Sequence, residues 1–578
     1  MESLSQDIQH KIDSWLHGPY DDETKAKIRS LLDEQNFEEL TESFYKNLEF
    51  GTGGLRGIMG VGSNRMNKYT IGIATQGLCN YLKKTYPNEH IKFALTHDNR
   101  NNSSVFAQVV ADVCSANGIT VFFFEDLRPT PELSFAIRHL GCQSGVMLTA
   151  SHNPKEYNGY KAYWSDGGQV ISPHDKNIIE EVNKIGSPDQ VNFAADPKLI
   201  HRIGKEVDDI YIEKLLDFSI EQAAVKSQHD LCIVYSPIHG TGVDIVPRTL
   251  KAWGFSNVNV VPEQAIVDGN FPTVIYPNPE EEEAMKMSLD LGRRLQADII
   301  MATDPDADRV GIALRNHKNE YQLINGNQTC SLIVHYVITR LSANQKLPQN
   351  PMVIKTIVTT DLIRQVADKY NVQLYETLTG FKHIGALITA KEGKETFLAG
   401  GEESYGYSVG DLVRDKDAVI SCAIIAEMSA FYKSLGKSLF DALLDMYMEF
   451  GYYKERLVSI TKKGISGAEE IKSIMHNLRE NPPASIGGSQ VVEIRDYNTS
   501  TATNLKNRST SSIDLPKSNV LQFLTEDGTI VSARPSGTEP KIKFYCSVKG
   551  TLNDRAFFDS VTIELDKKLD KVMSDIVS

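Results

Sequence analysis

Apolar strand-length runs alternate with helix-length amphipathic segments three times along this chain, and that rhythm restricts the fold more than any other feature. A strand, a crossover helix and a second parallel strand make a unit whose sheet must be covered by helices. The repeat therefore predicts an α/β fold with mixed, mostly parallel sheets. In the first round, residues 91–95 read as a strand, 103–117 as a helix stopped by Gly118, and 119–124 as the next strand. A further helix follows Pro131-Glu132, and residues 146–148 lead into a polar loop. The second round has strands at 231–235, 257–261 and 298–301, with helices ending near Gly254 and starting at Glu280. The third runs from a strand at 353–357 through a helix from Asp361 to a strand at 397–399. The last hundred residues break the pattern, with strands at 520–524, 529–532 and 542–545 and a helix from Asn553. Ile8, Ile12, Trp15 and Leu16 share one face of an opening helix. The reading is three related α/β units and one C-terminal α+β domain, bounded at 1–205, 206–325, 326–460 and 461–578. Four domains also suit 578 residues at roughly 150 per domain.

Composition excludes several classes. Seventy-five acids against 61 bases leave a net charge of −14, which argues against a nucleic-acid binder but permits a local basic site for a small anion. No apolar run approaches the roughly 18 residues that span a bilayer. Met1-Glu2-Ser3-Leu4-Ser5-Gln6-Asp7 is acidic and polar, unlike a secretory signal. Seven cysteines without a Cys-x-x-Cys pair read as free thiols in a reducing compartment, so a cytoplasmic location is expected. The 14 histidines show no zinc spacing.

In open parallel sheets, ligands bind beyond the carboxyl ends of strands, and each α/β unit has a polar loop at such an end. Thr149-Ala150-Ser151-His152-Asn153-Pro154 exposes a serine just past a buried strand; it is not a Gly-x-Ser-x-Gly elbow, and local backbone capping is its plainer reading. Asp304-Pro305-Asp306-Ala307-Asp308-Arg309 places three carboxylates on alternate residues, which repel unless they share a cation. Hard oxygen ligands suit magnesium, and an EF-hand fails because its sixth and twelfth positions are Arg309 and Arg315. Gly400-Gly401-Glu402-Glu403-Ser404-Tyr405-Gly406-Tyr407 offers glycine-freed backbone with acceptors for sugar hydroxyls, and Arg414-Asp415-Lys416-Asp417 follows at the start of an apolar helix. Arg534-Pro535-Ser536-Gly537-Thr538-Glu539-Pro540 can cradle phosphate without being a Walker loop. Gly51-Thr52-Gly53-Gly54-Leu55-Arg56-Gly57 does not fit a dinucleotide loop, and it reads as an arginine on a flexible glycine loop near an anion.

A serine, a metal site, a polyol loop and a phosphate loop point to phosphoryl transfer on a sugar phosphate. In that order and over residues 45 to the end, these four motifs closely resemble the α-D-phosphohexomutase superfamily. The resemblance implies four domains around a central cleft, with Ser151 carrying the phosphoryl group. It also implies that Asp304, Asp306, Asp308 and an oxygen on Ser151 bind one Mg2+. Arg309 would contact the transferring group. Arg56 matches the arginine of the first glycine loop, Lys161 the lysine after Asn158-Gly159, and His152 accompanies the serine. Thr379, in Thr379-Gly380-Phe381-Lys382, matches a substrate contact, with Lys382 beside it. Glu402 and Ser404 would hold sugar hydroxyls, and Lys416 matches the proposed general acid/base. Arg534, Ser536, Gly537 and Thr538 would hold the phosphate that is not transferred. Dual mannose/glucose members tend to carry methionine at the position of Glu403, so the resemblance favours interconverting glucose 1-phosphate and glucose 6-phosphate through glucose 1,6-bisphosphate. Mannose or pentose phosphates are the near alternatives. A haloacid-dehalogenase-type phosphotransferase, with Asp308 where Thr or Val belongs, and a non-catalytic sugar-phosphate binder are the distant ones. The expected partner is a small phosphosugar, with no nucleic acid and no membrane, and the chain a monomer or weak homodimer.

Overall fold

Seven of the eleven strands in the first two sheets run parallel to a neighbour, because their connections cross over as helices. In the computed structural model, which describes residues 4–51, 53–462, 464–536 and 541–577, a six-stranded sheet has the order Gly54–Ile58, Tyr157–Trp164, Ser144–Leu148, Lys92–His97, Thr120–Phe124, Ile200–Ile203. Its last four strands are parallel and its first two join antiparallel. Ser103–Ala116 crosses over with Phe106, Ala107, Val110, Ala111 and Cys114 buried on one face, the 3.6-residue period that the sequence shows. A second sheet has the order Tyr321–Ile324, Val310–Arg315, Ile299–Thr303, Ile233–Ser236, Val258–Val260, with the last three parallel. Val310–Arg315 pairs antiparallel with both of its neighbours. Three short helices, Gln6–His17, Asp22–Asp33 and Phe37–Phe44, precede these sheets, each N-capped by the side chain of Ser5, Asp21 or Asn36. They bury Ile12, Trp15, Ile28, Leu40 and Phe44 against Tyr69.

Both sheets lie in one of two compact units. That unit comprises Met1–Asn325, Phe381–Phe397 and Ser404–Ser434; the other comprises Gly326–Gly380, Leu398–Glu403 and Leu435–Ser578. In the second unit Pro351–Thr356 and Gln373–Thr377 pair in parallel. Gly400 lies so close to the first of these strands that a Cβ there would stand 2.1 Å from the Ile354 carbonyl oxygen. The last part of the chain builds an antiparallel sheet in the order Tyr452–Thr461, Lys541–Gly550, Ile530–Pro535, Leu521–Thr525, Ser489–Asp496, Thr501–Asn504, Thr510–Ser512, with the helix Phe558–Val577 beside it. The four-unit reading of mixed α/β sheets and a distinct C-terminal sheet agrees with this architecture. Among the described residues, no single helix is long and apolar enough to cross a membrane.

One local reading is corrected, that of Arg56. Asn158-Gly159-Tyr160-Lys161 forms the middle of the strand Tyr157–Trp164. Asn-Gly is ordinarily a turn signal, but here Gly159 serves close approach, since a Cβ would lie 2.3 Å from the Thr149 carbonyl oxygen. Arg56 likewise sits on the edge strand Gly54–Ile58 rather than on a flexible loop. Gly54, at φ +147°, leaves room for the Tyr160 carbonyl, 1.7 Å from where its Cβ would be.

Candidate active site

The strand Ser144–Leu148 is buried along its length and delivers Thr149-Ala150-Ser151 at its carboxyl end. Ser151 is itself buried and has φ +53°, a left-handed backbone uncommon for a residue with a Cβ. The conformation is held from outside. The Arg100 guanidinium, paired with Asp98 at 3.2 Å, donates to the carbonyl oxygens of Ser151 and Asn153 at 2.5 Å and of Pro154 at 2.9 Å. Ser151 Oγ donates to Asp304 Oδ2 at 3.0 Å and lies 3.2 Å from His152 Nδ1. Burial, with the Arg309 and Arg56 guanidinium groups nearby, holds the His152 imidazole well below its ordinary pKa, so it is neutral near pH 7.

The aspartate turn joins Ile299–Thr303 to Val310–Arg315, both buried except at Arg315. Asp304 Oδ1 accepts from the backbone N–H of Asp308 and Arg309 at 3.1 and 3.0 Å, and Ala307 at φ +47° completes the reversal. Asp304, Asp306 and Asp308 are almost wholly buried, and each offers a ligand oxygen within 4.8 Å of the others. Like charges at such a separation repel by several kcal/mol in an effective dielectric of about 20. The cluster meets that cost with cations. Lys161 Nζ stands 2.7 Å from Asp306 Oδ2 and 3.2 Å from Asp308 Oδ2, while Lys416 Nζ is 3.1 Å from Asp308 Oδ2. Burial opposes charge on Asp306 and Asp308, yet the two ammonium groups outweigh it and hold both carboxyls below the usual range. Burial and those two neighbours push Asp304 well above it. Asp306 Oδ1 and Asp308 Oδ1 are buried and accept no hydrogen bond. Two buried carboxylate oxygens without a hydrogen bond, in a turn of three clustered aspartates, fit a hard divalent cation such as Mg2+.

The remaining cations surround this pair of loops. Arg309 is paired with Glu280 at 2.9 Å. Arg56 reaches Asn153 Oδ1 at 3.4 Å from its exposed edge position. Lys416 Nζ also lies 3.3 Å from Asp415 Oδ1, and Asp415 Oδ2 accepts from Tyr163 and Gln169 at 2.6 and 3.1 Å. Gly406 is required here, because a Cβ would come 2.0 Å from Lys416 Cδ. Ser404 is partly buried at the head of this segment, and the Tyr405 carbonyl accepts from Val310 N at 3.0 Å. Lys382, in the helix Phe381–Lys391, is partly buried, and burial lowers its amine pKa.

The second unit holds the other expected residues. Glu402 Oε1 accepts from Gly380 N at 2.8 Å, next to partly buried Thr379. Glu403 Oε2 accepts from the hydroxyls of Thr356 and Thr359, each at 3.2 Å, and burial with the adjacent Glu402 raises its pKa to about 7. Arg534 lies on the strand Ile530–Pro535 and hydrogen-bonds Tyr545, whose phenol burial pushes up to about 12. Ser536 N donates to the Lys541 carbonyl at 2.7 Å. Gly537 and Thr538 lie outside the described residues.

Three supporting residues escaped the sequence reading. Arg100 and Asp98 lie beyond the carboxyl end of Lys92–His97, so the strand-end rule could have found them. Thr130, which donates from Oγ1 to Asp306 Oδ2 at 2.9 Å, carried no signal at all.

Family models for phosphoglucomutase/phosphomannomutase match in sequence order: α/β/α domain I over residues 47–189, domain II over 209–318, domain III over 325–450 and the C-terminal domain over 470–551. The chain belongs to this family. It is 35% identical over 536 residues to a phosphoglucomutase of Staphylococcus haemolyticus, covering 93% of this chain and 96% of that one. It is 38% identical over 525 residues to a phosphoglucomutase of Staphylococcus aureus, covering 90% and 93%. The fold recurs in pp63/parafusin of Paramecium, at TM-score 0.68 and 17% identity over 92% of this chain and 96% of that one. It recurs again in a family protein of Burkholderia thailandensis, at TM-score 0.63 and 16% identity over 90% and 96%. The three-carboxylate turn lies within the domain II match, and its carboxylates are grouped closely enough to hold a metal ion.

Proposed function

We propose that this enzyme interconverts glucose 1-phosphate and glucose 6-phosphate through a phosphorylated Ser151 and a bound glucose 1,6-bisphosphate. The observation that carries the reading is the Ser151 hydroxyl on the aspartate turn, 3.0 Å from Asp304, with Lys161, Arg309 and Lys416 beside the same carboxylates. Phosphoryl transfer is governed by positioning and charge neutralisation, and these loops are built for both. Asp304, Asp306 and Asp308 would hold Mg2+, which supplies charge stabilisation to the transferring phosphoryl group. Arg309 and Arg56 add fixed positive charge, while Arg100 keeps the serine loop from reorganising as charge develops. Lys416, its ammonium held by Asp308 and Asp415, would exchange a proton with the reacting sugar oxygen. Glu402 and Ser404, with Thr379 and Lys382, would bind the sugar, and Arg534 with Ser536, Gly537 and Thr538 the phosphate that stays. The phosphoryl group on Ser151 Oγ passes to the free hydroxyl oxygen of the bound sugar monophosphate, which gives up its proton while Ser151 Oγ takes one up, and the bisphosphate results. The phosphoryl group on the other sugar oxygen then passes to Ser151 Oγ with the opposite proton movement, so atoms balance without a co-substrate.

Glutamate at 403 and the phosphoglucomutase relatives favour glucose. Seven free thiols suit a reducing cytoplasm. Intact mass after incubation with glucose 1,6-bisphosphate should show one added phosphoryl group, absent in Ser151→Ala. The sugar is tested by kcat/KM for the 1-phosphates of glucose, mannose and ribose. A tenfold preference for mannose or ribose would overturn the glucose assignment.

A further inference from the structure

We propose that Thr130 is a positioning residue for the metal site, fixing the orientation of Asp306 from the helix Thr130–Leu140 of the first sheet. The proposal rests on the reading of the three-aspartate turn as a metal site. Two bonds tie Thr130 to that turn: its backbone N–H donates to the Asp306 carbonyl oxygen at 2.9 Å and its Oγ1 to Asp306 Oδ2 at 2.9 Å. Both groups are fully buried.

The local sequence makes this use of a threonine unusual. A hydroxyl at a helix N-terminus normally accepts from the first free backbone N–H groups of its own helix. Here the N-cap is Pro129, and the helix has no side-chain cap. Pro131 removes one of the N–H groups that would need capping. The Thr130 hydroxyl is thereby free to point out of the helix as a donor to a carboxylate. The helix start is itself anchored, because Arg128 N donates to the His97 carbonyl at 3.2 Å and the Arg128 guanidinium pairs with Asp208 at 2.7 Å.

The consequence lies on the other oxygen of Asp306. Oδ2 receives both Thr130 and Lys161 Nζ, so the carboxylate plane is set by two donors on one side. Oδ1 is left buried and without a hydrogen bond, available as a ligand atom. The turn is also backed by the loop before Gly242–Trp253. Thr241 N donates to the Pro305 carbonyl at 2.8 Å, and a Cβ on Gly240 would lie 2.4 Å from Pro305 Cα. The backbone of the turn is therefore held by both Thr241 and Thr130, and its central side chain by Thr130 and Lys161. Donors behind a metal ligand typically alter metal affinity by about 10–100-fold.

The test is a Mn2+ titration of full-length protein, with free Mn2+ read by electron paramagnetic resonance, on wild type, Thr130→Ala, Thr130→Val and Thr130→Ser. Val retains the bulk, Ala the helix propensity, and Ser the hydroxyl. Both hydroxyl-free variants should bind Mn2+ about 10–100-fold more weakly, and serine should remain within roughly threefold of wild type. At saturating metal, the sugar-phosphate KM should stay within about twofold, with the loss confined to metal dependence. Wild-type affinity in both Ala and Val overturns the proposal, as does weakening in only one of them or equal weakening in Ser. Failure of wild type itself to bind Mn2+ would instead sink the metal reading on which the proposal depends.

Discussion

Two groups of carboxylates in this molecule, one wholly and one partly buried, differ in what surrounds them. On the Asp304–Asp308 turn the neighbours are charged: Lys161, Lys416 and Arg309, with two carboxylate oxygens left unbonded. At Glu402 and Glu403 the neighbours that donate are neutral: the Gly380 N–H and the hydroxyls of Thr356 and Thr359. Cations hold Asp306 and Asp308 ionised in spite of burial, whereas hydroxyls alone leave Glu403 close to half-protonated near pH 7. The residue class is the same, and the donors decide its chemistry. The first group is suited to concentrating positive charge, the second to hydrogen-bonding an uncharged polyol.

Neutral isosteres should separate the two groups. The largest effect is expected for Asp308→Asn, which removes charge from the three-aspartate turn and should lower kcat by about 10²–10³-fold in a coupled assay. Glu402→Gln should cost roughly 10–100-fold in kcat/KM, carried mainly by KM, since it weakens a hydrogen bond to the sugar. If the two substitutions lowered kcat equally, the contrast between the sites would be wrong. The smallest effect concerns Glu403. Its pKa is raised from an ordinary 4.5 to about 7 in the fold. The stability contributed by its neutral form is therefore fully present below about pH 4.5 and lost as pH rises through about 7. The melting temperature should fall by a few degrees from about pH 5 to about pH 8, and less so in Glu403→Gln, which cannot ionise. An unchanged pH profile in that variant would show that Glu403 is not the titrating group.

Much of the site was legible because its loops follow buried strands. A strand such as Ser144–Leu148 or Ile299–Thr303 declares itself by an unbroken apolar run, and the polar residues just after it must emerge at the sheet's carboxyl edge. Ser151 and the three aspartates were found in this way. Arg56 was singled out but misplaced on a loop, because a glycine such as Gly54 carries the same letter whether it turns the chain or lets two backbones approach closely. Arg100 was overlooked although its strand end was visible. Thr130 could not be found at all, since nothing in Arg128-Pro129-Thr130-Pro131 distinguishes a capping hydroxyl from one turned toward a carboxylate 176 residues away.

By itself, the order of residues determined the α/β rhythm, the strand-end loops and the identity of the groups that carry charge, because each depends on neighbours within about one element length. The tertiary structure alone decided the state of those groups. Whether a carboxylate is ionised, which of its oxygens stays open, and what holds a serine at φ +53° all depend on donors that arrive from distant strands and helices. Electrostatic energies and hydrogen bonds act over a few ångströms of space, and the chain can bring any two of its residues within that range.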